Sequence, residues 1–461
     1  MIQYMQMNAE HADATAPATV LARWSSSLTI EDLPDRIRRR SSEILLDAVA
    51  SALAGRNADE TGQIETLARS MGTSDEATVI GSSRMNRAGA VLLNGYQVTG
   101  STVCDVYRPA SCHVTPEIVP PALAVAEEQR SSGAALLTAV AAGFEVTCRV
   151  GAAMNPRSFR ERGWHAPGVI GPFGGATAVA SLLGLDSLST RAALGLAGSQ
   201  SAGTQAQYGT PTIKFHQARG ALSGYMAGRL AATGFLSSAE IFTHPDGGVL
   251  NVYSDGGKPE ALASDLGDHW ELEEIALRPW PAASSVQSVV GAVFDMIEAH
   301  DTRPDDVARL RIGLAETAYQ RHGEMVWDDR FRALLSTRYV ASVTLHDRRC
   351  WLDQFLPDRI GDAAVGSFAR DRIEVEVDSR VPPNGARLEA VLRDGRHIVI
   401  ERAIPKGDPG DPLRPEELAT KLRDAAAGVL APDATDRVLE LLQDVERVSD
   451  VTDLCEALTT K

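Results

Sequence analysis

Two stretches of this chain leave few choices for its fold. Residues 134–150 and 174–183 are dominated by Ala, Val, Leu and Gly. Helices apolar over so much of their circumference must be buried on several sides. Glycines such as Gly174 and Gly175 permit close helix contact at a cost in helix propensity. The same texture runs on to about Gly234. Upstream, Thr29 precedes the acids Glu31 and Asp32, and Leu33, Ile37, Ile44, Leu45 and Val49 follow at helical spacing. Residues 18–275 therefore read as one large all-helical domain, with residues 1–17 a flexible tail.

The texture changes near Trp280. Residues 307–314, VARLRIGL, and 372–378, RIEVEVD, alternate apolar and polar residues. Residues 387–401 read as two strands around Asp394-Gly395, a hairpin signal. Residues 331–345 and 358–370 between them look helical. Residues 276–405 are thus expected to form a smaller α+β domain with a short antiparallel sheet. The segment KGDPGDP at 406–412 reads as a linker, and helices in 413–461 return to complete the first domain. The expected fold is mainly α.

Charge and motifs narrow the function. With 45 basic and 61 acidic residues, the formal net charge of -16 disfavours nucleic acid and anionic membranes as partners. An anionic substrate then requires Lys and Arg to gather locally against that trend. The five cysteines are odd in number, widely spaced and lack a CxxC pair. Reduced thiols fit this better than disulfides or structural zinc. No GxGxxG follows a strand and no GxxxxGK[ST] occurs, so no nucleotide cofactor is expected. Metal-ligand spacing is missing too, so no metal is expected. Residues 1–17 carry Glu10 and Asp13 and lack the basic-then-apolar plan of a secretion signal. No apolar run reads as long enough to span a bilayer. A soluble cytoplasmic protein is expected.

Four clusters carry candidate chemistry. Asp105, Tyr107, Arg108, Cys112 and His113 share one loop, which offers an acid, a base and an anion clamp, or else ordinary capping. His165 lies between Trp164 and a Pro/Gly turn, placed as a general base or as a core histidine. Lys214 and His216 sit among small and apolar residues just before a helical run. A lysine there either pairs with a protein carboxylate or receives one from a ligand. Arg278, in RPWP, is a bidentate carboxylate clamp or part of a stiff linker. Tyr339 is a proton donor or a structural tyrosine.

In this order the clusters resemble the MmgE/PrpD family. The matching passages are Asn94-Gly95, Asp105, His113 leading into VPPALAVAEE, AGFEV at 142–146, GWH at 163–165, IKFH at 213–216, RPWP at 278–281 and STRYVAS at 336–342. The resemblance spans about Val20 to Leu442. It implies a homodimer of two-domain chains with no organic cofactor, acting on a small carboxylate. By resemblance His113, His165 and Lys214 occupy active-site positions, and Arg278 stands where lysine is more usual. The first loop departs from the family pattern. Thr99 replaces a usual His, and Thr102 and Cys104 replace usual acids, leaving Asp105; Gln287 occupies a common His position.

The resulting expectation is a cofactor-independent lyase of the dehydratase or decarboxylase kind. His113 or His165 would take a proton beside a carboxylate, while Lys214, His216, Arg278, Arg108 and Gln287 bind the substrate. Asp105 would orient a histidine or shuttle a proton, and Tyr107 or Tyr339 would return one. An isomerase or epimerase with the same proton chemistry, and a non-catalytic binding or scaffold protein, are the alternatives.

Overall fold

The structure, a computed structural model, describes residues 14–460. It divides into two compact units. Unit 1 takes the chain up to Gly100, then Cys104–Ile275 and Pro415 onward; unit 2 takes Ser101–Val103 and Ala276–Arg414. Residues 1–13 of the expected tail lie outside the described residues. Pro17 is not tail: it opens α1 (Pro17–Ser27), where its fixed φ suits the first helical position.

Unit 1 is helical. Its main elements are α2 (Asp35–Gly55), α3 (Arg87–Gly100), α4 (Thr115–Gln129), α5 (Gly133–Ala153), α6 (Ala166–Leu182) and α7 (Thr212–Ala231). The small residues act at the crossings. A methyl group added to Gly174 of α6 would overlap Thr147 Oγ1 and the Gly143 carbonyl of α5. Both stretches that constrain the fold are accordingly buried.

Helix α5 corrects one expectation, because it is long and apolar enough to cross a membrane. Instead, 89% of its apolar window is buried inside the structure. It also carries a buried ion pair, Arg149 Nε to Glu145 Oε1 at 2.6 Å. Glu145 further accepts from the main-chain N–H groups of Glu271 and Leu272, and Arg149 donates to the Ser264 and His269 carbonyls. Such a buried pair persists because its remaining hydrogen bonds are also made.

Unit 2 holds α8 (Gln287–His300), β1 (Val307–Leu314), α9 (Thr337–Asp347), β2 (Ile373–Val377), β3 (Ala386–Leu392) and β4 (His397–Arg402). The sheet order is β2-β1-β3-β4. Strands β3 and β4 form the expected hairpin, with Gly395 at φ +89° in its turn. The sheet is nevertheless mixed, since β1 and β2 run parallel from Leu310↔Ile373 to Leu314↔Val377. A long helical connection separates them, which is what parallel pairing requires. Val290 and Val293 of α8, Val340 and Val343 of α9, and Leu310, Ile312 and Leu388 of the sheet share one core.

Residues 406–412 do not form a free linker. The Leu277 N–H donates to the Gly407 carbonyl at 2.8 Å, and Lys406 pairs with Asp411 at 3.1 Å. Beyond them, α10 (Pro415–Ala426) and α11 (Pro432–Gln443) belong to unit 1. Lys421 of α10 pairs with Asp47 of α2 at 2.5 Å, both buried.

Candidate active site

The loop that enters α4 is organised by Asp105. Its fully buried carboxylate accepts from the Val114 N–H at 2.8 Å, the Thr115 N–H at 3.1 Å and the Thr115 hydroxyl at 2.5 Å. It thereby satisfies otherwise orphaned donors at the positive end of α4. Burial pushes this carboxyl up to about 6, against the pull of those hydrogen bonds. The carboxylate is therefore a helix cap, the alternative the sequence left open for this loop. Asp105 holds His113 through its main chain instead, with His113 Nδ1 at 2.5 Å from the Asp105 carbonyl. A carbonyl only accepts, so Nδ1 carries the hydrogen and Nε2 is left as the basic nitrogen. Cys104 Sγ lies 3.8 Å from the same Nδ1.

Tyr107 and Arg108 follow in the loop. The Tyr107 hydroxyl donates to Glu271 at 2.5 Å, and burial pushes the phenol upward. That hydroxyl is engaged by a carboxylate rather than by His113. Arg108 is half-buried in the short turn Arg108–Ala110.

The second group brings distant segments together. His165 precedes the first turn of α6, and its main-chain N–H donates to the Gly203 carbonyl. His216 lies in α7 with its Nδ1 3.2 Å from that of His165. Gly203, at φ +135°, leaves the space; a Cβ there would stand 2.9 Å from His216 Nδ1. Burial depresses His165 well below the usual imidazole range, helped by the charges of His216 and His113. His216 is lowered by burial and by Arg219. With both rings neutral, a contact between two Nδ1 atoms needs one donor and one acceptor. One ring then shows a basic Nε2 and the other an Nε2–H. Lys214, two residues before His216, is buried and donates to the Gly100 carbonyl at the end of α3 at 2.6 Å.

In unit 2, Arg278 is buried and donates to the Ala282 carbonyl at 3.2 Å. Gln287, first residue of α8, binds the same turn through the Trp280 and Ala282 carbonyls at 3.0 and 2.8 Å. Of the two readings of Tyr339, proton donor or structural tyrosine, its surroundings favour the second. It is fully buried in the unit 2 core, and its hydroxyl donates to the Gln354 carbonyl at 2.6 Å. Burial also pushes that phenol upward.

One residue drew no notice in the sequence. Glu117, in the first turn of α4, reads there as an ordinary helix-start acid. It is fully buried, and neither carboxyl oxygen finds a hydrogen-bond partner among the described residues. Burial, reinforced by the charge of Asp105, holds it well above the usual carboxylate range. Among the described residues no group of three or more His, Cys, Asp or Glu is placed to hold a metal ion.

A large helical unit carrying two histidines in contact and a buried lysine, with a smaller mixed-sheet unit inserted in it, defines a two-part enzyme class. The MmgE/PrpD N-terminal domain matches residues 19–262 and the MmgE/PrpD C-terminal domain matches residues 280–447. The chain belongs to the MmgE/PrpD family and is an enzyme of that type. It is 27% identical to the cis-aconitate decarboxylase-like protein oryM of Aspergillus oryzae, over 94% of this chain and 95% of the relative. It is 25% identical to cis-aconitate decarboxylase of Aspergillus terreus, over 98% of both. The Homo sapiens cis-aconitate decarboxylase is 24% identical, over 94% of this chain and 92% of its own length.

Proposed function

We propose that this enzyme is a decarboxylating lyase acting on a small unsaturated polycarboxylic acid, with cis-aconitate the first candidate. The observation that carries the reading is the His165–His216 ring contact two residues from buried Lys214. Lys214 supplies the cation for a substrate carboxylate and for charge that develops as the carbon–carbon bond breaks. That electron pair passes to carbon as carbon dioxide leaves, and an Nε2–H of the histidine group returns one proton to the carbon. His113, fixed by the Asp105 carbonyl, supplies a further basic Nε2.

Dehydration is the weaker reading, for a stated reason. Expelling hydroxide needs a general acid at the leaving oxygen. The loop's remaining acid, Asp105, is committed to capping α4. Decarboxylation asks only for charge stabilisation and a proton at carbon. The relatives' names, cis-aconitate decarboxylase and a protein like it, support the same reaction and substrate. An isomerase is the second reading, since the pair offers one acceptor and one donor nitrogen for proton exchange.

One experiment separates these readings. The purified chain is incubated with cis-aconitate and other di- and tricarboxylates in deuterated water. Carbon dioxide release with one deuterium per product molecule supports the lyase. Deuterium entry without carbon dioxide identifies an isomerase. Neither, with an acid that demonstrably binds, favours a non-catalytic member. Lys214→Ala is expected to lower kcat/KM by about 10²–10³-fold. Unchanged turnover and binding in that variant would refute the anion role of Lys214.

A further inference from the structure

Arg219 lies on α7 three residues after His216, so the two side chains are neighbours on the helix surface. Its side chain is half-buried. Its two terminal nitrogens carry four hydrogens between them and make four hydrogen bonds. Nη1 donates to the Gln200 carbonyl at 2.7 Å and to the Ser223 hydroxyl at 3.2 Å. Nη2 donates to the Gly168 carbonyl at 3.0 Å and to the Ala202 carbonyl at 2.8 Å. No acceptor among these is a carboxylate. A solvating arginine would turn to water and a pairing one to an acid. This one commits its planar fork to two stretches of main chain, residues 200–202 and the first turn of α6. A lysine, with one nitrogen and three hydrogens, could not serve all four acceptors.

Those two stretches carry the histidine contact. The Ala202 N–H donates to the Gly168 carbonyl at 3.1 Å and the His165 N–H to the Gly203 carbonyl at 3.0 Å. The Gln205 N–H donates to the Gly163 carbonyl at 2.7 Å. Residues 163–168 and 202–205 are thus tied to each other, and both rest on α7 where side chains are missing. A Cβ at Gly168 would stand 3.1 Å from His216 Cβ, and one at Gly203 would stand 2.9 Å from His216 Nδ1. Glycine admits this close approach but has no side chain with which to hold it. The hold comes from α7, through the fork of Arg219 and through the Ser223 carbonyl, which accepts from Gln200 Nε2 at 3.3 Å.

We propose that Arg219 is a positioning residue of the histidine site. It pins residues 200–203 and the first turn of α6 to α7, and so sets the His165 ring against the His216 ring. Held at that contact, one neutral ring keeps its hydrogen on Nδ1 and the other on Nε2. The pair then offers one basic Nε2 and one Nε2–H. Without the pin the rings part, and each neutral imidazole takes the Nε2–H form that water favours. The basic Nε2 of the pair is then lost. The inference rests on the histidine site of the proposed reaction, but its first readout needs no turnover.

Nitrogen-15 histidine spectra of the full chain at pH ~8, where an ordinary imidazole is neutral, report which nitrogen of each ring carries the hydrogen. The signals are assigned by their loss in His165→Asn and His216→Asn. In the wild type the two rings are expected in opposite forms, one Nδ1–H and one Nε2–H. In Arg219→Ala both are expected as Nε2–H, with kcat lowered about 10–100-fold and KM little changed. Opposite forms retained in that variant, or a wild-type kcat beside altered forms, overturns the proposal. Arg219→Lys keeps the charge and loses the fork. It is expected to show the same change of forms, and it decides the matter by the same criterion should Arg219→Ala not fold. If the wild type shows opposite forms but never releases carbon dioxide, the reaction assignment fails and this inference stands. If it releases carbon dioxide with both rings in one form, this inference fails and the reaction stands.

Discussion

Glu117 and the two imidazoles pull the pH dependence of stability in opposite directions. Glu117 is raised in the folded state. Below its ordinary value both states are protonated and nothing is lost; as pH rises, only the unfolded chain ionises, so stability falls. His165 and His216 are lowered in the folded state. They contribute no penalty above an ordinary imidazole value, and stability falls as pH drops below it, because the unfolded chain takes up protons the folded one refuses. Glu117→Met is therefore expected to stabilise the protein at pH ~7.5 by about 1–3 kcal/mol, with the gain shrinking toward pH ~4.5. Urea denaturation of both proteins at the two pH values checks this, and a variant midpoint below that of the wild type at the higher pH would contradict it. The residues that stood out in the sequence were polar ones in small-residue surroundings, Lys214, His165 and His216. Glu117 did not, because an acid in a helix first turn is ordinary until its burial is known. Tyr339 stayed open between proton donor and structural tyrosine for the same reason, since its commitment to a main-chain carbonyl fifteen residues on leaves no mark in local sequence.

Among the elements, α4 depends on a side chain ten residues before its first turn ends its own capping needs. Asp105→Ala removes an acceptor for three donors of that turn and loosens the carbonyl that holds His113. A loss of about 1–2 kcal/mol in stability is expected, with a fall in kcat larger than any rise in KM. Denaturation and steady-state kinetics test both, and a KM effect alone would assign Asp105 to binding instead. Secondary structure with a local signal was readable: β1, and the β3–β4 hairpin turning at Asp394-Gly395. The parallel pairing of β1 with β2 was not, because it is decided by packing across a long connection rather than by alternation. Helix α5 shows a related limit. Its composition satisfies a membrane helix and a buried core helix equally, and the choice lies in what packs round it.

For the molecule as a whole, the main feature is that unit 1 is discontinuous, with unit 2 inserted between Ile275 and Pro415. The return to helix after residue 412 was visible in the sequence, as was the change of texture near Trp280. What fastens the returning segment was not, for Lys421 and Asp47 are 374 positions apart. Lys421→Ala leaves Asp47 buried beside the space of its partner, and a loss of about 3–5 kcal/mol is expected. Replacing both residues by apolar ones of similar size is expected to recover most of that loss, which separates the pair's worth from the penalty of a stranded charge. Insertion also has a consequence for synthesis. A ribosome delivers the histidines and Lys214 early but the last helices of their unit only after all of unit 2. A message cut short at residue 414 would yield a finished sheet unit attached to an unfinished catalytic one, marked for chaperones and proteases by the apolar faces that α10 and α11 should cover.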